Sequence, residues 1–339
     1  MSRFEVMRDL LLHGKYFKLV CGAGNENTEE VKRLALVYTL AGANGFDVSA
    51  TPKVVEACVE GIDLAYRCAS ELGREISLRP FITVSVGMPG DNHVRKAFIV
   101  EDCVECGKCI PVCPTDAIPA DYNVIREKCI GCGNCEAVCP PKVAAVRYEH
   151  NDKALSDILP LCLKAGAENI ELHAAVPGDE KILEEWKMVS DAQPENFISM
   201  CLDRHHLSNM HLIERIRAAH EIAGIRTMIQ ADGVPMSGGS DNYNTTLQAI
   251  AIADVIQKNL KSQDKAFKNM PILLSGGTNG KTAEMAQLCD VPYQGISIGT
   301  HARKIIKTWI AEANFENDMN AIRAALVPAT DLVERSLVQ

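Results

Sequence analysis

The stretch CVECGKCIPVCP occupies residues 103–114, and CIGCGNCEAVCP follows it at residues 129–140. Both stretches read C-x2-C-x2-C-x3-C-P, so the same spacing occurs twice. Three cysteines two residues apart wrap a tight loop around one face of an iron–sulfur cubane, whereas the fourth cysteine opens a short helix and reaches a second cluster instead. The repeated spacing therefore predicts two [4Fe–4S] clusters that exchange their fourth ligands.

This is the pattern of bacterial-type ferredoxins, and it assigns a ligand set to each cluster. The first cluster is expected to bind Cys103, Cys106, Cys109 and Cys139. The second is expected to bind Cys129, Cys132, Cys135 and Cys113. Structural zinc is the alternative, but zinc ribbons use two well-separated C-x2-C pairs, so two compact runs closed by proline favour iron–sulfur clusters. The module is predicted to span residues 97–148, with short strands at Ala97–Ile99 and Ala145–Tyr148.

Composition narrows the class of protein. The chain has 339 residues, of which 47% are hydrophobic, and carries a formal net charge of -9 from 35 basic and 44 acidic residues. No apolar run approaches the roughly 20 residues that a bilayer helix needs. The first residues lack a secretory signal pattern, and the acidic balance argues against a general nucleic-acid binder. We expect a cytoplasmic protein with no nucleic-acid partner and no membrane span.

Outside residues 97–148, short apolar strands alternate with amphipathic helices. The predicted strands are Phe17–Cys21, Gly45–Val48, Phe81–Val86, Asn169–His173, Phe197–Leu202, Thr227–Ala231, Ile272–Ser275 and Gly295–Ile298. The predicted helices are Thr28–Ala43, Pro52–Leu72, Asp152–Ala165, Asp179–Ala192, Met210–Ala223, Thr245–Leu260, Thr282–Cys289 and His301–Ala313, with Thr28 and Ser208 as candidate N-caps.

Strict alternation of eight strands and eight helices predicts a (β/α)8 TIM-type barrel, with a doubly wound open sheet as the alternative. The barrel is expected to comprise residues 1–96 and 149–339. Its ferredoxin-like insert, residues 97–148, falls between the third strand and the third helix. That is the C-terminal face of a barrel, where active sites lie, so we expect the clusters to lie over the barrel mouth.

Two glycine-rich turns follow the last two predicted strands, SGGTNGK at 275–281 and GTHAR at 299–303. Barrels commonly bind phosphate at this position through backbone N–H groups at a helix N-terminus. The predicted phosphate or cofactor residues are Gly276, Gly277, Thr278, Gly299, Thr300 and Arg303, with Lys281 or Arg303 supplying positive charge. The alternative is that these glycines only form tight turns.

Other strand ends carry titratable side chains that point to acid, base or hydrogen-bond roles. The candidate catalytic residues are Glu171, His173, Asp203 and Asp232. Alternatively, His173 is a hydrogen-bonded residue of the barrel interior, and the two aspartates cap the helices that follow. Cys21 and Cys201 are either reactive or small buried residues. A metal site at His205 and His206 is not expected.

The N-terminal segment KLVCGAGNENTEEVKRLALVYTLAGANGFDVSA, the twin cysteine motif at 103–140 and QADGVPMSGG at 230–239 together resemble the light-dependent period family. The resemblance implies an iron–sulfur protein that senses the cellular redox state, in cyanobacteria as an input to the clock. A looser similarity connects the SGGT and IGT turns to flavin-dependent barrels such as dihydropyrimidine and dihydroorotate dehydrogenases. That similarity implies FMN, or another phosphorylated ligand, at the loops after the last two strands.

Three functions remain open from the sequence. The first is a ferredoxin-linked oxidoreductase, in which the clusters exchange electrons with a phosphate-bearing ligand in the barrel mouth. The second is a sensor or electron-transfer adaptor that acts through a redox partner protein and turns over no substrate. The third is a protein whose clusters only stabilise the fold.

Overall fold

Eight parallel strands close into a barrel in this computed structural model, which describes residues 1–150, 154–193, 195–205, 207–234, 239 and 241–337. The barrel strands are β1 (Tyr16–Gly22), β2 (Gly45–Ser49), β3 (Phe81–Gly87), β6 (Asn169–His173), β7 (Ile198–Leu202), β8 (Thr227–Asp232), β9 (Ile272–Ser275) and β10 (Gly295–Ile298). They pair in chain order, and β10 returns to β1. The closed sheet confirms the predicted TIM-type barrel and excludes the doubly wound open sheet.

Helices surround the barrel, and most of their predicted positions agree with the structure to within a few residues. The helices are α1 (Arg3–Leu12), α2 (Thr28–Leu40), α3 (Pro52–Cys68), α4 (Asn134–Val138), α5 (Leu155–Ala165), α6 (Asp179–Ala192), α7 (Asn209–Ala223), α8 (Leu247–Ile256), α9 (Thr282–Leu288), α10 (Thr300–Ile310) and α11 (Met319–Ser336). Ser208 caps α7 as predicted, but Thr28 is not the N-cap of α2. The Asn27 side chain accepts the Glu30 N–H instead.

Two helices, α1 and α11, were not predicted because they lie outside the strand–helix alternation. Helix α1 packs Met7 and Leu11 against Tyr16, Phe81 and their apolar neighbours. These residues begin β1 and β3, so α1 covers the N-terminal end of the barrel and removes its apolar floor from water.

The cysteine insert lies between β3 and α5 and has its own two-stranded antiparallel sheet. Its strands are β4 (Arg95–Ile99) and β5 (Val146–His150), each slightly longer than predicted, with Ile99 opposite Val146. The short helix α4 lies inside the second cysteine run, and Cys139 is its C-cap, so the prediction that the fourth cysteine opens a short helix is wrong for this run. Because β3 pairs directly with β6, the insert leaves the barrel ring uninterrupted and extends from its C-terminal end.

A buried lysine joins the insert to the barrel. The Lys96 ammonium donates to the carbonyl oxygens of Arg126 and Cys129, both at 2.9 Å, and to the carbonyl of Gly24 after β1. The Glu26 carboxylate lies 3.6 Å away. One side chain thus binds the second cysteine loop and the first barrel loop at the same time.

Replacing Lys96 with methionine is expected to weaken this junction. The substitution keeps a similar side-chain volume but leaves three carbonyl oxygens without their donor, and each unsatisfied buried acceptor costs about 1–3 kcal/mol. We expect the free energy of unfolding to fall by about 3 kcal/mol, measured by anaerobic urea denaturation. Lys108→Met, at an exposed lysine of the same insert, is the control, and an equal loss there would contradict this role of Lys96.

Candidate functional site

The eight cysteines of the insert lie in two groups of four. In the first group, burial raises the pKa of the Cys109 thiol, and the neighbouring Cys103, Cys106 and Cys139 raise it further by charge repulsion. Cys139 comes from the second sequence run, so the structure places the fourth cysteine of one run beside the first three of the other. This arrangement matches the predicted exchange, although ligation itself stays a prediction.

The second group has the same composition. Burial raises the pKa of the Cys132 thiol, with added repulsion from Cys113 and Cys129. Burial also raises the pKa of Cys135 to about 11, and Cys132 and Cys129 add to this effect. Here Cys113 is the residue that crosses over from the first run.

Each group offers four thiols, the donor set that a [4Fe–4S] cluster takes. Backbone N–H groups also point at several sulfurs, including those of Cys113 (from Ala117, 3.2 Å) and Cys129 (from Ala97, 3.3 Å). Such hydrogen bonds favour thiolate over thiol and tune cluster potentials. Gly131 is required here, because its φ is +69° and a Cβ would lie 2.5 Å from the carbonyl oxygen of Asn92. The donor chemistry therefore fits cubane clusters.

Glu171 is at the centre of a hydrogen-bond network inside the barrel and does not line the mouth. Its carboxylate accepts from the Lys18 ammonium (2.6 Å), the Ser199 hydroxyl (2.7 Å) and the Gln230 amide (2.6 Å). Burial disfavours the charge on Lys18, but Glu171 and Asp47 together raise its pKa overall. Of the predicted roles, the structure supports a hydrogen-bonding role for Glu171.

His173, at the end of β6, lies at the mouth with a second histidine that the sequence analysis missed. Its ring stacks on that of His93, with centroids 4.2 Å apart. The His93 Nδ1 atom lies 2.7 Å from Asp91 Oδ1, and its Nε2 atom lies 3.4 Å from Asp232 Oδ2. Asp91 also fixes the turn that carries His93, because its carboxylate accepts the His93 backbone N–H.

Three of these side chains, His93, His173 and Asp232, have strongly shifted pKa values. Burial disfavours the imidazolium form of His93, but the Asp91 carboxylate outweighs it and raises the pKa of His93 to about 9. Burial lowers the pKa of His173 to about 3. Burial raises the pKa of Asp232 to about 6, against the opposing effect of His93. The pKa values of the two neighbouring imidazoles are thus shifted in opposite directions, and perturbed pKa values cluster at functional sites.

Asp203 lies beside a second cleft and, like Asp232, does not cap a helix. The Asp203 carboxylate accepts the N–H of His205 at 2.9 Å and fixes a turn before α7. Asp232 ends β8, whereas α8 begins at Leu247 with Thr246 as its N-cap. The second cleft, about 1270 Å³, is lined by Asp91, His93, Asp203, His205 and, from the insert, Cys132. His206 and residues 235–238 of the QADGVPMSGG segment lie outside the described residues.

Cys21 and Cys201 are both fully buried. Burial raises the pKa of each thiol well above its ordinary value. A neutral, enclosed thiol is a poor nucleophile, so the structure favours the interpretation of both as small buried residues.

The predicted phosphate residues all line one open cleft of about 630 Å³ at the mouth. The six are Gly276, Gly277, Thr278, Gly299, Thr300 and Arg303. His93, His173, Asp232 and, from the insert, Ile130 line the same cleft. The structure therefore joins the predicted anion loops, the histidine pair and the cysteine insert around a single space.

Local geometry at this cleft suits an anion. Gly276 and Gly277 have φ of +65° and +77°, and a Cβ on Gly276 would overlap the Asp232 carboxylate. Helix α10 begins here with no side-chain cap, so its first N–H groups remain available to a ligand. The buried Arg303 Nε atom has no hydrogen-bond partner among the described residues. Lys281 instead pairs with Glu284 (3.2 Å) and does not line the cleft.

Comparisons with known proteins support the iron–sulfur interpretation of the insert. The LdpA Fe–S cluster-binding domain matches residues 112–149, a 4Fe–4S binding domain matches residues 97–118, and the light dependent period A C-terminal domain matches residues 161–338. The chain is therefore an iron–sulfur protein built on a (β/α)8 barrel.

Its family follows from a curated relative. Light dependent period A of Synechococcus elongatus is 32% identical over 313 aligned residues, which cover 82% of this chain and 75% of the relative. The chain belongs to the light dependent period A family, as its N-terminal segment and twin motif suggested.

Solved structures with similar architecture share little sequence with it. Tryptophan synthase from M. tuberculosis has a TM-score of 0.46 at 10% identity, covering 99% of this chain and 100% of that one. Dihydrodipicolinate synthase from Oceanobacillus iheyensis has a TM-score of 0.43 at 8% identity, covering 95% of this chain and 79% of that one.

Within the described residues, no helix combines the length and apolar character needed to cross a bilayer.

Glu171→Gln is expected to destabilise the barrel through Lys18. The substitution preserves shape but removes the closest negative charge from a buried ammonium, and breaking such a pair costs about 3–5 kcal/mol. Chemical denaturation should show this loss. Glu180→Gln, on the exposed side of α6, is the matched control. A loss below about 1 kcal/mol for Glu171→Gln would show that Asp47 alone sustains the Lys18 charge.

Proposed function

We propose that this protein carries two [4Fe–4S] clusters and transfers electrons between a redox partner protein and a phosphate-bearing ligand in the barrel mouth. The observation that carries the proposal is the shared cleft, in which the anion loops, the histidine pair and the cysteine insert meet. The separation of eight cysteines into two groups of four supports the number of clusters.

The exposure of the cysteines supports an order for the electron path. Cys106, in the first group, is exposed, and its neighbour Val104 is 60% exposed. The second group lies at the mouth, because Ile130 lines the first cleft and Cys132 lines the second. In this proposal the first cluster meets the partner protein, and the second exchanges electrons with the ligand.

The ligand is FMN or another phosphorylated small molecule. Its phosphate would bind at Gly276, Gly277, the start of α10 and Arg303, and the remainder would extend toward His93 and Asp232. A flavin would supply two-electron chemistry, whereas the clusters transfer single electrons. In the protein itself, Arg303 provides the anion's counter-charge, and the two histidines border the space next to the second cysteine group.

Anaerobic purification tests the proposal directly. Iron and sulfide are quantified, and small molecules are released with acid and identified by absorbance and mass. About eight irons per chain, as two cubanes require, together with a phosphorylated molecule are expected. About four irons would overturn the two-cluster claim, and zinc in place of iron would overturn the cluster assignment itself.

A second candidate function is a redox sensor or adaptor without substrate turnover, which membership of the light dependent period A family favours. Eight irons with no bound phosphorylated molecule, and no thermal stabilisation by FMN or inorganic phosphate, would support this function. The exposed first cluster would then alter binding to a partner protein as its redox state changes.

The Cys132→Ser substitution tests the ligand assignment of the second cysteine group independently of the first. Loss of one thiolate from the second group is expected to remove that cluster, since iron–sulfur clusters require thiolate ligands. Iron analysis and EPR of the reduced protein should show about four irons and a single cluster signal. Cys289→Ser, at an exposed cysteine outside the insert, should retain eight. Full iron content in Cys132→Ser would contradict the ligand assignment.

Arg303→Gln tests the anion site. A charge-assisted hydrogen bond contributes about 1.5–3 kcal/mol, so the dissociation constants of FMN and inorganic phosphate should rise about 10- to 100-fold in calorimetric titrations. Lys304→Gln removes the same charge from the next, exposed residue of α10, which does not line the cleft. Equal losses in both variants would indicate long-range attraction in place of a site at Arg303.

A further inference from the structure

A cluster of imidazole and carboxylate groups at the mouth borders the space of the proposed ligand, but the proposed function assigns it no chemistry. It comprises Asp91, His93 and His173, and Asp232 and Glu171 lie next to it. We propose that Asp91, His93 and His173 form a binding site for one divalent transition-metal ion, separate from the cysteine ligands, with coordination positions open to the cleft.

Distances between the candidate ligand atoms support a shared ion. One carboxylate oxygen of Asp91 and one ring nitrogen from each histidine all lie within 4.8 Å of one another. Bonds of about 2.0–2.2 Å place the ligands of one ion roughly 3–4 Å apart. Side-chain movements of up to about 2 Å, in which the stacked histidine rings turn their nitrogen lone pairs toward a common point, would complete a three-ligand site.

The second nitrogen of each ring faces a carboxylate. His93 Nε2 lies 3.4 Å from Asp232 Oδ2, and His173 Nε2 lies 3.6 Å from Glu171 Oε1. Metal-bound histidines typically direct the non-ligating nitrogen at such a carboxylate, which fixes the ring and raises its basicity. Nδ1 is then the ligating atom of each ring; that of His173 has no partner among the described residues, and that of His93 lies 2.7 Å from Asp91 Oδ1, the third proposed ligand.

His173 supplies an independent indication of a ligand. It is only 4% exposed, and its Nδ1 atom has no hydrogen-bond partner among the described residues. A buried polar atom without a partner destabilises a fold. Because His173 Nε2 faces the Glu171 carboxylate, the ring proton belongs on Nε2 and Nδ1 presents a lone pair. The ion pair between Asp91 and His93 gives each of these two buried side chains a partner, but it leaves His173 Nδ1 without one. A metal ion would contact all three residues, taking the place of the His93 Nδ1 proton, which is released to solvent on binding.

The donor set indicates the class of ion. Two imidazoles and one carboxylate suit Zn²⁺, Fe²⁺ and Mn²⁺, and leave positions for water or a ligand. His93 and His173 line the same cleft as Arg303, so these open positions face the proposed phosphate-bearing ligand. Bound there, the ion would act as a Lewis acid toward that ligand.

Mn²⁺ is the probe of choice because it prefers oxygen and nitrogen donors over the cysteines. Anaerobic protein with its iron content verified is titrated with Mn²⁺, and the EPR signal of free Mn²⁺ is followed. We expect one Mn²⁺ per chain, and at least 10-fold weaker binding in His173→Gln and in Asp91→Asn. His205→Gln, which removes an imidazole from the second cleft only, should bind as the wild type does.

Absence of saturable Mn²⁺ binding to the intact protein, or unchanged binding in both variants, would overturn the proposal. Iron content and thermal unfolding show whether the variants fold. If either substitution prevents folding, pulsed EPR of Mn²⁺ bound to the wild type decides. Coupling to imidazole nitrogen supports the site, and a spectrum without nitrogen coupling overturns it. None of these measurements depends on a bound phosphate or on cluster redox state.

Discussion

The hydrogen bonds of the Lys96 ammonium determine where the iron–sulfur module can act. A buried ammonium must have all its protons bound to acceptors, and Lys96 finds those acceptors in two different parts of the chain, the cysteine loop at Cys129 and the barrel loop at Gly24. The geometry of β4 and of the loop after β1 is thereby coupled. Because Ile130 follows Cys129, the same contact brings the second cysteine group to the wall of the mouth cleft.

The barrel interior is organised around a buried charge of its own. Lys18, Asp47 and Glu171 form an ion network that serine hydroxyls and Gln230 complete. Such a network is stable only when every member is satisfied. It therefore fixes the strand ends that carry His173 and Asp232, and a rigid support of this kind holds functional side chains in a defined geometry. It also explains why Glu171, although placed on the correct strand, does not reach the mouth.

The sequence predicted those features of the structure whose physical cause is local in the chain. Cysteine spacing reports the shape of a tight loop, and strand–helix alternation reports barrel topology, so the grouping around Cys109 and the order of the strands were predictable. The role of Asp91 and His93 was not, because it depends on the chain between β3 and the insert folding back over the mouth. The sequence also could not decide whether Arg303 or Lys281 supplies the positive charge of the cleft. In the folded protein the Glu284 carboxylate pairs with Lys281, and Arg303 lines the cleft.

One segment of the chain, the loop after β3, positions both the insert and the His93 member of the histidine pair. The loop after β3 supplies Asp91 and His93 and then continues into β4, whose Arg95 donates to the carbonyl of Gly131 at 3.0 Å. Movement of the second cysteine loop would therefore be transmitted to His93 within a few residues. Under the proposed function, a change of charge on the second cluster and a change of ligand in the cleft would act on this same short segment. That would give a physical basis for coupling between them, whether the ligand is transformed or only sensed.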